Sequence, residues 1–273
     1  MKFFKGSMRI SKREILLITA VAFITLGAVL YRPFTFLKTD LLKAASLGYE
    51  LSNFDFLYSF LSSGTLDNMS YLFVITPIFI VSTIYLINSN NYIIKQVRYH
   101  DRDNHWGKNT WLAIVMALIL TLVLVLGSYL ISGIVYGGFS NNWSLESGYP
   151  YFLLSATKIW PALKSMLVTS KMLPLFLITT FAGFLFMGML VNVLKLYVND
   201  FYTFIIVEAL MFLDWMNILK FKTLSRIQLF PYNWAEPGII YKNIIVFIIG
   251  FVILYFWGKA RNGKMDQHLG TTA

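Results

Sequence analysis

Two carboxylates interrupt an otherwise apolar run in the last third of the chain: Glu208 and Asp214 in FYTFIIVEALMFLDWMNIL. An acid near the centre of a membrane helix costs about 2.5–3.5 kcal/mol on insertion scales, so it normally faces protein, water or another polar group. Such residues can line a translocation path or exchange protons with it. The same run also suits a plainer arrangement, in which Glu208 hydrogen-bonds across a helix interface and Asp214 sits near the outer surface, where an acid costs little. No Lys or Arg within the run pairs with either acid, and both readings stand at this point.

The other residues capable of chemistry are sparse. His100 and His105 bracket Asp101 and Asp103, four potential zinc ligands, but helical ligand pairs favour i, i+4 spacing and no second cluster completes a closed site. The stretch GKARNGKM from Gly258 copies a phosphate-binding loop except at its last position. Met265 stands where a hydroxyl must meet magnesium, and an apolar run rather than a strand precedes the loop. There is no HExxH pair, no Ser, His and Asp constellation, and no cysteine, which excludes disulfides, thiolate metal sites and cysteine nucleophiles. These absences describe a chain that is not itself an enzyme and holds no cofactor or metal. Any nucleotide it uses is bound by another chain.

The densest polar stretch is residues 88–110, NSNNYIIKQVRYHDRDNHWGKNT, set between two long apolar runs. Residues 92–99 read as a short amphipathic helix presenting Tyr92, Lys95, Arg98 and Tyr99. Residues 101–104, with Arg102, read as a break, and Trp106-Gly107-Lys108 reads as an interfacial anchor opening the next span. A positively charged loop that only sets topology would have the same composition.

The elements that must position these residues are membrane spans. The 273 residues are 57% hydrophobic, 17% aromatic and only 13% charged, and several runs approach the ~20 residues needed to cross ~30 Å of hydrocarbon. Six spans are expected, at 14–31, 71–87, 111–136, 172–197, 201–219 and 243–257, forming one all-α membrane domain over residues 1–273. The net charge of +10 comes from Lys and Arg at the ends of apolar runs rather than from an aromatic-studded patch, which argues for orientation and against nucleic acid. Lys2, Lys5, Arg9, Lys12 and Arg13 place the N-terminus inside. With six spans, the C-terminus, the 88–110 loop and the 198–200 turn are then also cytoplasmic. Tyr31-Arg32-Pro33 offers no small-residue cleavage site, so the first run is read as a retained span. The external stretches 32–70 and 137–171 mix aromatics with periodic Lys, Asp and Ser and are expected to form interfacial helices.

Two backbone features complete the reading. Gly133 and Gly137, with Ser128 and Ser132, form small-residue faces suited to close helix contact, within one subunit or across a dimer seam. Pro77 and Pro174 remove backbone donors inside the second and fourth spans, which implies kinks repaired by neighbouring helices.

A six-span chain with a basic N-terminus, a cytoplasmic Tyr92-to-Tyr99 segment ending in Arg98-Tyr99, an acidic-basic cluster and Trp106-Gly107-Lys108 before the third span resembles permease subunits of type-2 ABC exporters. The stretch LSRIQLFPYNW, from Leu224 to Trp234, is similar to the proline-containing polar segment that such permeases carry before their last span. His100-Asp101-Arg102-Asp103 departs from the glycine-serine turn usual in the family. The resemblance implies a bacterial cell-membrane exporter of two permeases, identical or paralogous, and two ABC ATPase subunits that bind ATP and magnesium. It also implies that residues 92–99 form a coupling helix seated on the ATPase, with Tyr92, Lys95, Arg98, Tyr99, Arg102 and Trp106 as the coupling residues. The implied substrates are amphipathic peptides, bacteriocins or lantibiotics, or lipid-like compounds, for export or immunity. The alternative without an ATPase is a proton-coupled carrier or channel titrating at Glu208, although no inverted repeat supports it.

Overall fold

The computed structural model describes residues 10–58, 64–90, 102–219, 223–227 and 236–262. Among these the chain is all-helical, and the only strand-like contact is an isolated bridge between Glu50 and Gly148. Ten helices follow in order. Helix α1 is Lys12–Leu47 and α2 is Asn53–Leu57. Helix α3 is Asn68–Asn90. Helix α4 is assembled from Arg102–Thr121, a wide turn at Leu122–Leu126 and Gly127–Val135. Two short helices, α5 (Tyr149–Leu154) and α6 (Trp160–Lys164), precede α7 (Thr169–Leu194). Helix α8 is Asp200–Trp215, α9 is Leu224–Ile227 and α10 is Pro237–Asn262.

Five helices, α1, α3, α4, α7 and α10, are long and apolar enough to cross a membrane. The expected fifth span, 201–219, is the exception. Helix α8 has 16 residues, about 24 Å at 1.5 Å per residue, which falls short of a ~30 Å core. Its end is written locally. Asn217 adopts φ 59°, so that Asn217 N–H reaches Asp214 O at 2.8 Å and Ile218 N–H reaches Leu213 O at 3.0 Å, a left-handed closure that Asn tolerates better than most residues.

The first helix departs in the other direction. Its N-terminus carries a capping box between Ser11 and Glu14, and it continues through Pro33 to Leu47, where Gly48 at φ 78° lets Tyr49 N–H close on Ala44 O. Half of the stretch expected as interfacial helices is therefore the outer extension of α1, and α2 beyond it is buried rather than interfacial. Stretch 137–171 does contain short helices, α5 and α6, with Phe152, Leu153 and Ile159 exposed nearby. Helix α4 begins at Arg102, so the expected break at 101–104 is largely helical.

Helices α3 and α7 form the centre: 67% of the apolar window of each is buried, against 22% for α10. Helix α7 packs on α3, α4, α8, α9 and α10. Small residues set those approaches. A Cβ on Gly188 would sit 3.2 Å from Ala113 Cβ and 3.4 Å from Phe79, and a Cβ on Gly250 would press into the Phe186 ring at 2.7 Å. Before Pro77, a wide turn at Tyr71–Ile75 lets Thr76 N–H bond back to Tyr71 O, which carries the backbone past the missing donor.

Ion pairs mark two levels along α1. Glu14 meets Lys108 at one end, and Arg32 meets Asp67, the N-cap of α3, at 3.4 Å at the other. Glu14 and Arg32 are 18 residues apart, about 27 Å of helix, close to the thickness of a hydrocarbon core. Beyond the Arg32 level lies a cap of α2 and the α4–α7 connection. Asn53 Nδ2 donates to Ser132 Oγ at 2.8 Å, Glu50 N–H to Ser147 O at 2.7 Å, and Asn141 Nδ2 to Leu167 O at 2.8 Å. Ser132 and Gly133 are thus consumed inside the subunit, since Gly133 also receives the Phe139 ring.

Candidate functional site

At the Glu14 end the helix termini converge on a buried polar layer. Ser11 N–H and Lys108 Nζ both donate to Glu14 Oε2, at 2.8 and 3.2 Å, and Glu14 and Lys108 are nearly excluded from solvent. The last residue of α3, Asn90, donates through Nδ2 to Asn109 Oδ1 at 2.7 Å, and Asn192 of α7 donates to Asn109 O at 3.2 Å. Asn88 Nδ2 donates to Asp200 Oδ2 at 2.6 Å, and Asp200 pairs with Lys195. The side chain of Asn199 caps α8 by accepting from Tyr202 N–H at 3.0 Å, which realises the turn expected at 198–200.

This layer links α1, α3, α4, α7 and α8, and α10 joins it through aromatics. Trp106 lies against Tyr255, with ring centroids 6.4 Å apart, and fills the space left by Gly258. Expected at the interface, Trp106 is instead 2% exposed, and Lys108 is equally buried. Arg261 stacks over the Tyr197 ring at 5.2 Å and ties the end of α10 to the α7–α8 turn.

Buried charges and amides of this kind are costly to leave unpaired, so each of the buried contacts ties its two helices together. Both flanks of the 88–110 loop enter it, through Asn88 and Asn90 on one side and Lys108 and Asn109 on the other. Tyr92, Lys95, Arg98, Tyr99, His100 and Asp101 lie outside the described residues, and Arg102 opens α4. The pairing of Asn88, Asn90, Asn109 and Asn192 was not foreseen from the sequence. The available signal was the amides at the ends of the second, third and fourth apolar runs.

The acids of α8 are placed separately from that layer. Glu208 is half-buried, and its Oε2 is enclosed without a hydrogen-bond partner among the described residues. Asp214 lies in the last turn of α8 and is 1% exposed, and the two acids are not brought together with any other carboxylate into a metal-binding group among the described residues. Helix α9 then folds back against α7: Ile227 occupies the space beside Gly183, and Arg226 Nη1 donates to Asn243 Oδ1 of α10 at 2.6 Å. Arg226 belongs to the polar 224–234 stretch that precedes the last expected span. Its contact with a buried residue two turns inside α10 makes it part of the bundle.

The opposite cap holds one more acid. Asp55 is buried, with Oδ2 accepting from Ser52 N–H at 2.8 Å and Ser52 Oγ at 3.1 Å, and burial pushes its carboxyl up to about 7. Tyr49, Tyr136 and Tyr149 are near enough that ionised Asp55 raises each phenol further, on top of the larger effect of burial. Around these groups is an aromatic cluster, with Phe54 between Tyr129, Trp143 and Phe176, and Tyr49 4.6 Å from Tyr149.

No family model, curated protein or solved structure matches the chain. The fold and site define an all-helical protein with five helices able to cross a membrane and a buried polar layer at one end of them.

Proposed function

We propose that this chain is the transmembrane subunit of an ATP-driven ABC exporter in a bacterial cell membrane, working beside a second permease and two ATPase subunits that supply ATP and magnesium. The observation that carries the reading is the anchoring of both flanks of the 88–110 loop in one buried polar layer shared by α1, α3, α4 and α7, with α8 joined at its part-exposed edge. A push on Arg98 and Tyr99 from an ATPase would displace the ends of α3 and α4 together. The layer would pass that displacement to α1 and α7 because its buried pairs cannot be left open at low cost, and to α8 through Asn88 and Asp200. The aromatic cap at the other end suits release of an amphipathic peptide or lipid-like substrate.

Two measurements test the reading. Gentle extraction followed by mass spectrometry is expected to recover a stoichiometric soluble partner with a complete phosphate-binding loop. Arg98→Glu is expected to uncouple ATP hydrolysis from transport while leaving membrane insertion intact, and unchanged coupling in that variant would remove the docking assignment.

One observation favours a second reading, a proton-coupled carrier: the enclosed Glu208 carboxylate on a helix too short to span. Glu208→Gln separates the two, because a carrier loses its pH dependence and an ATP-driven exporter keeps its activity.

A further inference from the structure

Between the first turn of α1 and the last turns of α3 lies an open cleft of about 330 Å³. Its rim is polar, formed by Ser11, Arg13 and Ser89, and its wall one turn deeper is apolar, formed by Leu17, Tyr85 and Leu86. The cleft is at the Glu14 level, which the helix rise between the two ion pairs on α1 places at one surface of the hydrocarbon core. It also opens sideways, since Leu16, Val81 and Tyr85 around it are each more than half exposed.

We propose that this cleft binds one anionic phospholipid with a hydroxyl-bearing headgroup, of the phosphatidylglycerol type. The carboxylate in the cleft, Glu14, already accepts from Lys108 and Ser11, whereas Arg13 has no ion-pair partner among the described residues, so the charge left to answer on the rim is positive. A guanidinium fits a phosphodiester through paired N–H donors. Ser11 Oγ accepts from Glu14 N–H and is also hydrogen-bonded to the Glu14 carboxylate, so the phosphate contact falls to Arg13. Ser89 Oγ spends its hydrogen on Leu86 O at 3.1 Å and can only accept, which matches a headgroup hydroxyl and not a second phosphate oxygen. An acyl chain then runs along Leu17, Leu86 and Tyr85 toward the exposed Val81. Basic pockets between helices at a membrane surface recognise anionic headgroups by this logic. The assignment is independent of the transport reading, since it needs only the depth of the cleft.

The test is native mass spectrometry of the full-length protein, with whatever partners co-purify, from neutral detergent titrated with phosphatidylglycerol or phosphatidylcholine. One tightly held phosphatidylglycerol is expected, with phosphatidylcholine weaker by about tenfold or more, because it keeps the phosphodiester but offers Ser89 no hydroxyl and sets a quaternary ammonium beside Arg13. Arg13→Gln, an exposed position, should weaken phosphatidylglycerol binding and narrow that preference, and Ser89→Phe should block the cleft, with both variants melting like the parent. Equal retention of the two lipids by the parent protein, or an undiminished preference in Arg13→Gln, overturns the proposal. Displacement of the lipid by millimolar inorganic phosphate alone also overturns it, because the site would then be an anion site with no need of acyl chains.

Discussion

The Glu14 carboxylate and the Lys108 ammonium meet at 3.2 Å although 94 residues separate them, and both are almost wholly excluded from solvent. The contact joins the first turn of α1 to the first turns of α4, and Glu14 also closes the capping box of its own helix. Breaking it from one side should cost more than removing it. Lys108→Met leaves an uncompensated buried charge and should destabilise the protein by about 3–5 kcal/mol, whereas Glu14→Leu with Lys108→Met should recover most of the loss. Thermal unfolding of the parent and the two variants in detergent checks the ordering, and a double variant no better than the single would show that the ion pair is not the source.

The outer cap should respond to pH through Asp55. Burial disfavours the charged form and pushes its carboxyl up to about 7 in the folded protein, from an ordinary aspartate value of about 4. The folded state therefore holds a proton that the unfolded cap has lost between these values, and the stability from this group is full below about 4 and declines as pH rises through 7. Asp40, Tyr49, Tyr136 and Tyr149 are the titratable groups that face it, and the tyrosines stay neutral over that interval. Protection of residues 50–58 against hydrogen exchange, relative to the intrinsic rate at each pH, should be greater at pH 5 than at pH 8. Asp55→Asn, which keeps an acceptor for Ser52, should flatten the difference.

The seam between α4 and α10 rests on the missing side chain of Gly258, whose place is taken by the Trp106 indole. Gly258→Leu should force the two helices apart at a cost of about 1–3 kcal/mol. Trp106, now 2% exposed, would become accessible to an aqueous quencher, and unchanged fluorescence quenching would count against this packing.

Arg226 and Asn243 hold α9 to α10 through a 2.6 Å hydrogen bond. Asn243→Leu should cost about 1.5–3 kcal/mol, the usual range for a bond to a charged donor, while Asn243→Asp should be tolerated. Proteolytic cleavage between α8 and α10, compared across the two variants, reads out whether α9 has come loose.

The helical class, the presence of long apolar helices and the 198–200 turn were legible because they depend on local composition: apolar length for the helices, and Asn199 beside Asp200 for the cap. The end of α8 was written in the chain as well, at Asn217, but a continuous apolar run through Leu219 concealed it. By contrast, the partners of Glu14, Asn90, Asn192, Asn243 and Trp106 lie on other helices. Which polar groups meet depends on the depth and rotation at which those helices pack, and a hydropathy pattern carries neither quantity. Arg226 illustrates the limit: sequence alone presents it as a loop cation, and only the return of α9 against Gly183 brings it to Asn243. Composition alone calls for a membrane-sized helical bundle. The tertiary structure decided that the helix in the expected fifth span has only 16 residues, and that amides and one ion pair join the helix ends beside the charged loop, because buried polar groups must find partners wherever packing brings them together.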